Sequence, residues 1–209
     1  MSKTRLLAAV LYEGFELLDL YGPLEMFGSV GEPELRIVTV AAEAGAVRSA
    51  QGPSTVAEFS FEDCPPADLI LVPGGIGTVS ALSEPGLARF LAERAPTAEA
   101  TMSVCTGSAI LAKVGLLDGL EATSNKQFFD FARMQSDKVK WIEEARWVED
   151  GAVATSSGVS AGMDMALAII ARLYGDQRAQ DIAELTEYER QTDPTQDPFH
   201  RFLNKAMGG

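Results

Sequence analysis

The segment T-M-S-V-C-T-G-S-A-I-L-A-K-V-G-L-L-D, residues 101–118, changes from a strand-like to a helix-like pattern within a few positions. Residues 101–104 form a short apolar run, which is typical of the end of a buried strand. After Ser108 comes an apolar helical segment that ends at Gly115. Cys105 is therefore predicted to lie in the sharp turn between a strand and a helix.

Two interpretations of Cys105 are compatible with this position. Free cysteines are most often small buried hydrophobic residues. A strand-to-helix turn instead places the sulfur at the positive end of a helix, where unpaired N–H groups favour an anion and lower the pKa of a thiol. Thr106, Gly107 and Ser108 are small or carry hydroxyl groups, so they leave the sulfur approachable. We therefore expect Cys105 to be a nucleophile with a lowered pKa, in a turn that serves as a nucleophile elbow although the G-x-S-x-G motif is absent.

The length and composition of the chain favour one globular domain. With 209 residues the chain can bury one core, so we expect a single domain over residues 1–209. Hydrophobic residues make up 46% and charged residues 22%, which is typical of soluble proteins. The formal net charge of −13 argues against binding to nucleic acids or anionic membranes, since both require a basic surface.

Cysteine and histidine are scarce in this chain, which restricts both compartment and mechanism. Cys64 and Cys105 lack the paired spacing of a disulfide framework or a zinc site, and we expect no metal or cofactor. Neither a secretory leader nor a long apolar run is evident, so a cytoplasmic location is expected. The one histidine, His200, lies in a polar tail and is expected at the surface. Cys64 is expected to be structural, because it precedes a strand and has no base nearby in the sequence.

Apolar runs alternate with amphipathic segments along the chain, which predicts an α/β sandwich with a mostly parallel central sheet. The glycines within residues 42–61 indicate a β-hairpin excursion, and Asp150-Gly151 indicates a second hairpin turn. Strands are predicted at residues 5–11, 35–41, 68–72, 101–104 and 153–156, with shorter ones at 121–124, 139–142 and 145–148. Helices are predicted at residues 17–27, 85–95, 108–114, 126–134, 163–174 and 176–185.

Two further groups of residues follow strand ends. They are candidates for the same ligand-binding crevice, at the carboxyl edge of the sheet, as Cys105. Asp19 comes at the start of the first helix, where it is equally suited to capping the helix and to catalysis at the sheet edge. Gly74 and Gly75 follow the third strand, either as a flexible turn or as a loop whose N–H groups face a ligand. Because G-x-G-x-x-G is absent, this loop is not a dinucleotide site.

Five motifs together resemble the ThiJ/PfpI superfamily, which shares a three-layer, flavodoxin-like α/β sandwich with class I glutamine amidotransferases. The resemblance covers nearly the whole chain and implies a homodimer. The motifs are L-D-L-Y-G-P (18–23), C-P-P-A-D-L-I-L-V-P-G-G (64–75), S-V-C-T-G-S (103–108), G-L-L-D-G-L-E-A-T (115–123) and G-V-S-A-G-M-D-M-A-L (158–167).

The resemblance implies roles for the candidate residues. Cys105 matches the reactive nucleophile of the superfamily, and Asp19 matches an acid that is hydrogen-bonded to it. Backbone amides around Gly75 and Thr106 would form an oxyanion-type pocket. Asn125 stands where protease-like and glyoxalase-like members have a histidine, and it is expected to give or accept a hydrogen bond without titrating.

The residues of these motifs most resemble those of the isocyanide (isonitrile) hydratase branch, which uses cysteine and aspartate. That branch often has histidine at the position of Asn125. We therefore expect conversion of a small-molecule isocyanide to an N-formamide.

One alternative function is that of a glyoxalase or deglycase acting on α-oxoaldehydes, against which the missing histidine counts. Others are a redox sensor in which Cys105 is oxidised, and the sensor half of an AraC-like regulator, which the acidic charge and the lack of a helix-turn-helix pattern disfavour.

Overall fold

The computed structural model describes residues 3–203, so the predicted domain limits, residues 1 and 209, lie outside the described residues. The strands are β1 (Arg5–Val10), β2 (Leu35–Ala41), β3 (Gly45–Arg48), β4 (Ser54–Ala57), β5 (Phe59–Ser60), β6 (Leu69–Val72), β7 (Ala100–Val104), β8 (Glu121–Ala122), β9 (Lys140–Trp141), β10 (Trp147–Asp150) and β11 (Val153–Ser156). The helices are α1 (Leu17–Gly28), α2 (Thr78–Ala81), α3 (Pro85–Arg94), α4 (Gly107–Lys113), α5 (Phe129–Arg133), α6 (Ala161–Tyr174) and α7 (Asp176–Leu185). Short 3-10 turns span Ala95–Thr97 and His200–Phe202.

A central sheet of the described strands runs in the order β10-β11-β7-β6-β1-β2-β5. Its neighbouring strands are parallel, except that β10 pairs with β11 antiparallel across the predicted turn at Asp150-Gly151. Every residue of β6 and β7 is buried, which a strand achieves when both faces of its sheet are covered. On those faces α1 packs with α6 and α6 with α7, while α4 packs with α2 and α5. The predicted α/β three-layer sandwich is confirmed.

The strand order explains why the site forms where it does. Since β6 lies between β1 and β7, the three segments that follow these strands leave the sheet side by side at its carboxyl edge. Those segments carry Asp19, the Gly74-Gly75 loop and Cys105. The predicted convergence of the three candidates at one crevice is therefore confirmed by topology.

The structure differs from the sequence prediction in two helices near this edge. The helix predicted over residues 126–134 begins only at Phe129, because Asn125 Oδ1 accepts the N–H groups of Gln127 (2.9 Å) and Phe128 (3.2 Å) and holds a turn there. The short helix α2 was not predicted. It forms because the Thr78 N–H turns back to donate to Gly75 O at 3.1 Å.

A buried cluster of charges ties the C-terminal segment to the domain. Asp164 lies in the first turn of α6, but its side chain is fully buried and is not solvated; it accepts the Arg146 Nε–H at 2.6 Å. Arg146 Nη1 also lies 3.7 Å from Asp197, and Asp197 lies 3.9 Å from Lys126 Nζ. Two cations and two anions thus compensate each other in the interior. Asp197 fixes the proline-punctuated tail beside Lys126, the residue after Asn125.

Candidate active site

Cys105 occupies a strained turn between β7 and α4. Its φ of 57° lies in the left-handed region, which a residue with a side chain rarely adopts. The Cys105 N–H donates to Ser156 O (3.2 Å) and Ser157 O (3.1 Å). Its carbonyl accepts the hydroxyl groups of Ser108 (3.0 Å) and Ser124 (3.1 Å). These four hydrogen bonds hold the strained backbone in place, and the predicted elbow is present.

Glycines allow the neighbouring segments to approach the elbow. A Cβ atom at Gly107 would lie 2.4 Å from Val72 O, so α4 can begin against the end of β6 only with glycine at this position. A Cβ atom at Gly74 would lie 2.6 Å from both the backbone nitrogen and Oγ1 of Thr106, and 2.9 Å from Asp19 Oδ2. The two glycines therefore set how closely the three site segments pack.

Asp19 does not cap α1. The residue at the cap position is Glu16, and Asp19 lies within the first turn of the helix with no exposed surface. Its Oδ2 accepts the N–H of Gly74 at 2.9 Å. Among the described residues, its Oδ1 has no hydrogen-bond partner of ordinary geometry, although Asp19 interacts electrostatically with Cys105. Of the two interpretations of Asp19, the structure excludes capping and leaves a buried carboxyl group with one uncommitted oxygen beside the thiol.

The sulfur of Cys105 is surrounded by donors on its other sides. Asn125 Nδ2 donates to Cys105 Sγ at 3.1 Å, and the two N–H groups bound by its Oδ1 fix which end of the amide faces the sulfur. A Cβ atom at Gly158 would lie 2.5 Å from Asn125 Nδ2, so the glycine makes room for this amide. The backbone N–H groups of Thr106 and Val159 also interact with the sulfur. Nothing in the sequence pattern had indicated the roles of Gly158 and Val159.

The pKa of the Cys105 thiol is raised well above its usual range, so the expected lowering is wrong. Burial is the main cause, because only 6% of the residue is exposed, and the negative charge of Asp19 adds to it. The donors Thr106, Asn125 and Val159 act in the opposite direction without outweighing burial. The position of Cys105 at a helix N-terminus does not by itself predict the pKa of the thiol, because the packed loops exclude water from the sulfur.

Burial also raises the pKa of Asp19, to about 7. The Gly74 N–H and an interaction with the Cys105 thiol lower it, while the nearby charge of Glu16 raises it. A proton is therefore retained by the Asp19–Cys105 pair close to neutral pH. A group with a pKa near the working pH is well suited both to donate and to accept a proton during a reaction.

A chain of buried hydroxyl groups fixes the hydroxyl of Thr106. The Tyr12 hydroxyl donates to Pro73 O at 2.6 Å, so its oxygen must accept from Thr78 Oγ1, 3.0 Å away. The proton of Thr106 Oγ1 is then donated to Thr78 Oγ1 at 2.9 Å, with Gly75 O as a longer second acceptor at 3.4 Å. Thr106 Oγ1 also accepts the Gly75 N–H at 3.1 Å. By this proton count, Thr106 Oγ1 can present only a lone pair to a ligand.

Contrary to the expectation from the sequence, the backbone N–H groups of Gly74 and Gly75 do not face a ligand but bind side chains of the site. The N–H of Gly74 is engaged by Asp19 and that of Gly75 by Thr106 Oγ1, so neither is free to bind a developing oxyanion in this structure. Both groups instead hold the side chains of the site. The Thr106 N–H, which faces the sulfur, remains in the expected place.

A cavity of about 450 Å³ leads from the surface to Cys105. The lining is mainly apolar, and Thr106 and Asn125 contribute to it, whereas Cys64 and His200 do not. Cys64 is buried, and the His200 ring lies 3.3 Å from Glu143 O. The lining residues are Glu16, Ala50, Gly75, Ile76, Val79, Cys105, Thr106, Asn125, Gln127, Phe128, Phe131 and Val159.

Within residues 3–203, no three His, Cys, Asp or Glu side chains come together in a way that suits a metal ion. In the same part of the chain, none of the helices combines the length and the apolar character needed to cross a bilayer.

Replacing Asn125 with aspartate tests how far the amide supports the thiolate. The Asn125→Asp side chain would keep an oxygen for the N–H groups of Gln127 and Phe128 but would turn a carboxylate oxygen toward the sulfur. We expect alkylation of Cys105 by iodoacetamide at pH 8 to slow about tenfold or more, because a pKa rise of one unit reduces the thiolate about tenfold. The measurement is the pH dependence of alkylation, followed by mass spectrometry.

Gln127→Glu is the matched control for this variant. Gln127 lines the same cavity and has no hydrogen bond to the sulfur, so Gln127→Glu adds the same charge without the contact. Its alkylation rate is expected to change less than about threefold, because charge at longer range is screened. Equal slowing in the two variants would contradict a specific role for Asn125.

The sheet and the elbow define a class of protein: an α/β sandwich in which a buried strand leads through a strained cysteine into a helix, with a buried acid beside the thiol. The chain belongs to the DJ-1/PfpI family, whose sequence profile matches residues 5–172. The resemblance to the ThiJ/PfpI superfamily is thereby confirmed.

Relatives of known name or structure agree with this assignment. The chain is 33% identical to the isonitrile hydratase of Pseudomonas putida over 180 residues, which are 86% of this chain and 76% of the relative. A ThiJ/PfpI family protein of known structure from Pseudomonas syringae superposes with a TM-score of 0.82 at 32% identity, covering 95% of this chain and 83% of the other.

Transcription regulators also contain this domain. The HTH-type transcriptional regulator GbdR of Pseudomonas aeruginosa is 30% identical over 186 residues, which are 87% of this chain. The matched residues are only 50% of GbdR, so the chain corresponds to half of that regulator. The family therefore includes both an enzyme and regulators.

Proposed function

We propose that the chain is a cysteine-dependent hydratase that adds water to an isocyanide and releases an N-formamide. The observation that carries this proposal is the pairing of Cys105, in its strained elbow, with the buried carboxyl group of Asp19, whose pKa is raised to about 7. The mainly apolar cavity suits an alkyl or aryl isocyanide. The likeness to an isonitrile hydratase supports this choice of substrate.

The first half of the reaction forms a covalent intermediate. The sulfur of Cys105 bonds to the terminal carbon of R–N≡C, which is electrophilic, while the thiol proton is held by Asp19. Asp19 delivers this proton to the same carbon and gives the thioimidate Cys–S–CH=N–R. The uncommitted Oδ1 of Asp19 is the oxygen available for this transfer. The Asn125 amide stabilises charge on the sulfur before the bond forms.

The second half adds water and restores the enzyme. Asp19 takes a proton from water as the water oxygen bonds to the thioimidate carbon, and it passes this proton to the nitrogen, giving Cys–S–CH(OH)–NH–R. The C–S bond then breaks, the hydroxyl proton returns to the sulfur, and R–NH–CHO leaves. Thr106 Oγ1 can accept the second proton of the water as a hydrogen bond, because its own proton is committed to Thr78. The sum is R–NC + H₂O → R–NH–CHO.

The test is incubation of the purified protein with one aryl and one alkyl isocyanide between pH 6 and 8, with formamide measured by NMR. Steady formamide production that depends on protein concentration is expected. Formation of lactate from methylglyoxal without formamide would overturn the proposal in favour of a glyoxalase.

A redox sensor is disfavoured by the electrostatics of the site. Peroxide oxidises the thiolate, and burial, which raises the pKa of the Cys105 thiol, acts against that reaction. A homodimer, a cytoplasmic location, and the absence of a cofactor stay predictions. Sedimentation velocity of the purified chain measures the first of them.

A further inference from the structure

The described lining of the cavity above Cys105 includes an acidic side chain and no basic one. Of the described residues that line it, Glu16 and Cys105 alone carry an ionisable side chain. The other lining side chains are apolar, hydroxyl or amide groups. Glu16 is half-buried and makes no ion pair with the described part of the chain. A ligand entering the cavity therefore meets one unneutralised carboxylate and no cation.

Glu16 is held in this position at both its side chain and its backbone. The Gln51 Nε2–H donates to Glu16 Oε1 at 2.6 Å, and Gln51 Oε1 accepts the Leu17 N–H at 3.1 Å. The Glu16 N–H donates to Gly74 O at 2.8 Å. These contacts hold Glu16 at the edge of the cavity, although the exposed Gln51 leaves the pair open to solvent.

Two further features agree with a negative field in the cavity. Burial is the main cause of the raised pKa of Asp19, and the charge of Glu16 acts in the same direction. The rings of Phe128 and Phe131 also line the cavity, and Phe128 is 42% exposed. Aromatic faces attract cations and not anions. The rings and the carboxylate thus favour the same sign of charge.

We propose that Glu16 makes the Cys105 cavity selective by charge, so that it admits cationic and neutral reactants and rejects anionic ones. Combined with the proposed function, on which this part rests, the substrate class is an isocyanide with a neutral or amine-bearing substituent. Isocyanides that carry a carboxylate or a phosphate are poor substrates. Glu16 is then a specificity-determining residue that takes no part in bond formation.

The charge selection is tested without any turnover, by labelling Cys105 with three methanethiosulfonate reagents of similar size. One carries trimethylammonium, one is neutral and one carries sulfonate. In each reaction the Cys105 thiolate displaces methanesulfinate and forms a mixed disulfide. Rates are measured at low ionic strength by peptide mass spectrometry, which separates Cys105 from the buried Cys64. Each rate is divided by that of glutathione with the same reagent.

The expected result is a normalised cation-to-anion rate ratio of about tenfold or more in the unmodified protein, the size that a nearby, partly buried charge produces. Glu16→Gln keeps an oxygen that can accept from Gln51, and it should bring the ratio to within about threefold of unity. The neutral reagent corrects for any change in thiolate content. Glu25→Gln, on an exposed turn of α1, should leave the ratio unchanged. A ratio that is the same in the protein and in Glu16→Gln overturns the proposal.

A second arm uses three isocyanides of matched size that carry an ammonium, a neutral or a carboxylate substituent. In the unmodified protein kcat/KM should fall in that order, and Glu16→Gln should flatten the series. If no isocyanide is turned over but the labelling ratio holds, the proposed function fails and the charge selection stands. If isocyanides are turned over but the labelling ratio is near unity, the charge selection fails and the proposed function stands.

Discussion

Replacing Cys105 with alanine is expected to abolish formamide formation, with a loss in kcat on the order of 10⁴-fold or more, as for other enzymes that lose their nucleophile. Alanine removes the atom that bonds to the isocyanide carbon, so neither the thioimidate nor its hydrate can form. The backbone hydrogen bonds of the elbow do not involve the sulfur and should persist. The measurement is the formamide rate, together with a thermal melt to confirm folding.

Cys64→Ala is the matched control for this variant. Cys64 is buried and does not line the cavity; its thiol donates to Pro65 O at 3.4 Å, and its backbone carbonyl, which alanine keeps, accepts from Arg94 Nη2 at 3.0 Å. The rate of Cys64→Ala should stay within about twofold of that of the unmodified protein. Retention of formamide formation in Cys105→Ala would place the nucleophile elsewhere and remove the basis of the mechanism.

Replacing Asp19 with asparagine is expected to reduce the rate about 10²- to 10³-fold, which is the usual contribution of a general acid–base group. Asparagine can still accept the Gly74 N–H, but it cannot carry the proton between the thiol, the substrate carbon and water. The bell-shaped or sloping pH profile that Asp19 produces near pH 7 should flatten in the variant. Asp181→Asn, on the exposed face of α7, should leave the rate unchanged.

The same substitution should also change stability, in a direction fixed by the pKa of Asp19. A carboxyl group whose pKa rises from 3.8 to about 7 on folding holds its proton more tightly in the folded state. Its contribution to the free energy of unfolding therefore falls as pH rises from about 4 to about 7, by on the order of 4 kcal/mol. Lys126, with its pKa lowered to about 8, titrates on the alkaline side of this window.

Urea unfolding at pH 4.5 and pH 7.5 measures this effect. The free energy of unfolding of Asp19→Asn, relative to that of the unmodified protein, should increase between the two pH values. A constant difference would show that Asp19 is charged in the folded protein throughout the window. A variant that is more stable at neutral pH and less active would mean that the site is maintained at the expense of stability.

The sheet could be predicted from the sequence because its strands are buried on both faces and appear as apolar runs, such as Leu69–Val72 in β6. The elbow could be predicted because a strand pattern, one cysteine and a helix pattern follow each other directly. Their convergence with Asp19 then required only that parallel strands end at the same edge. These features depend on local pattern and general topology.

The electrostatics of the site could not be predicted in the same way. The pKa of Cys105 depends on burial by segments that are distant in sequence, including Asn125 and Val159. The engagement of the Gly75 N–H depends on the orientation of one hydroxyl, which is set by Tyr12 through Thr78. No pattern of residue types reports such distances.

The C-terminal charge cluster has a practical consequence for recombinant work. The family profile ends at residue 172, within α6, but Asp197 supplies the anion that faces Lys126, next to the amide that touches the sulfur. A truncated clone designed from the profile would lose α7 and Asp197, and would leave a buried ammonium group without its counter-ion. An expression clone of this protein should therefore extend beyond Asp197, so that the buried ion pairs remain complete.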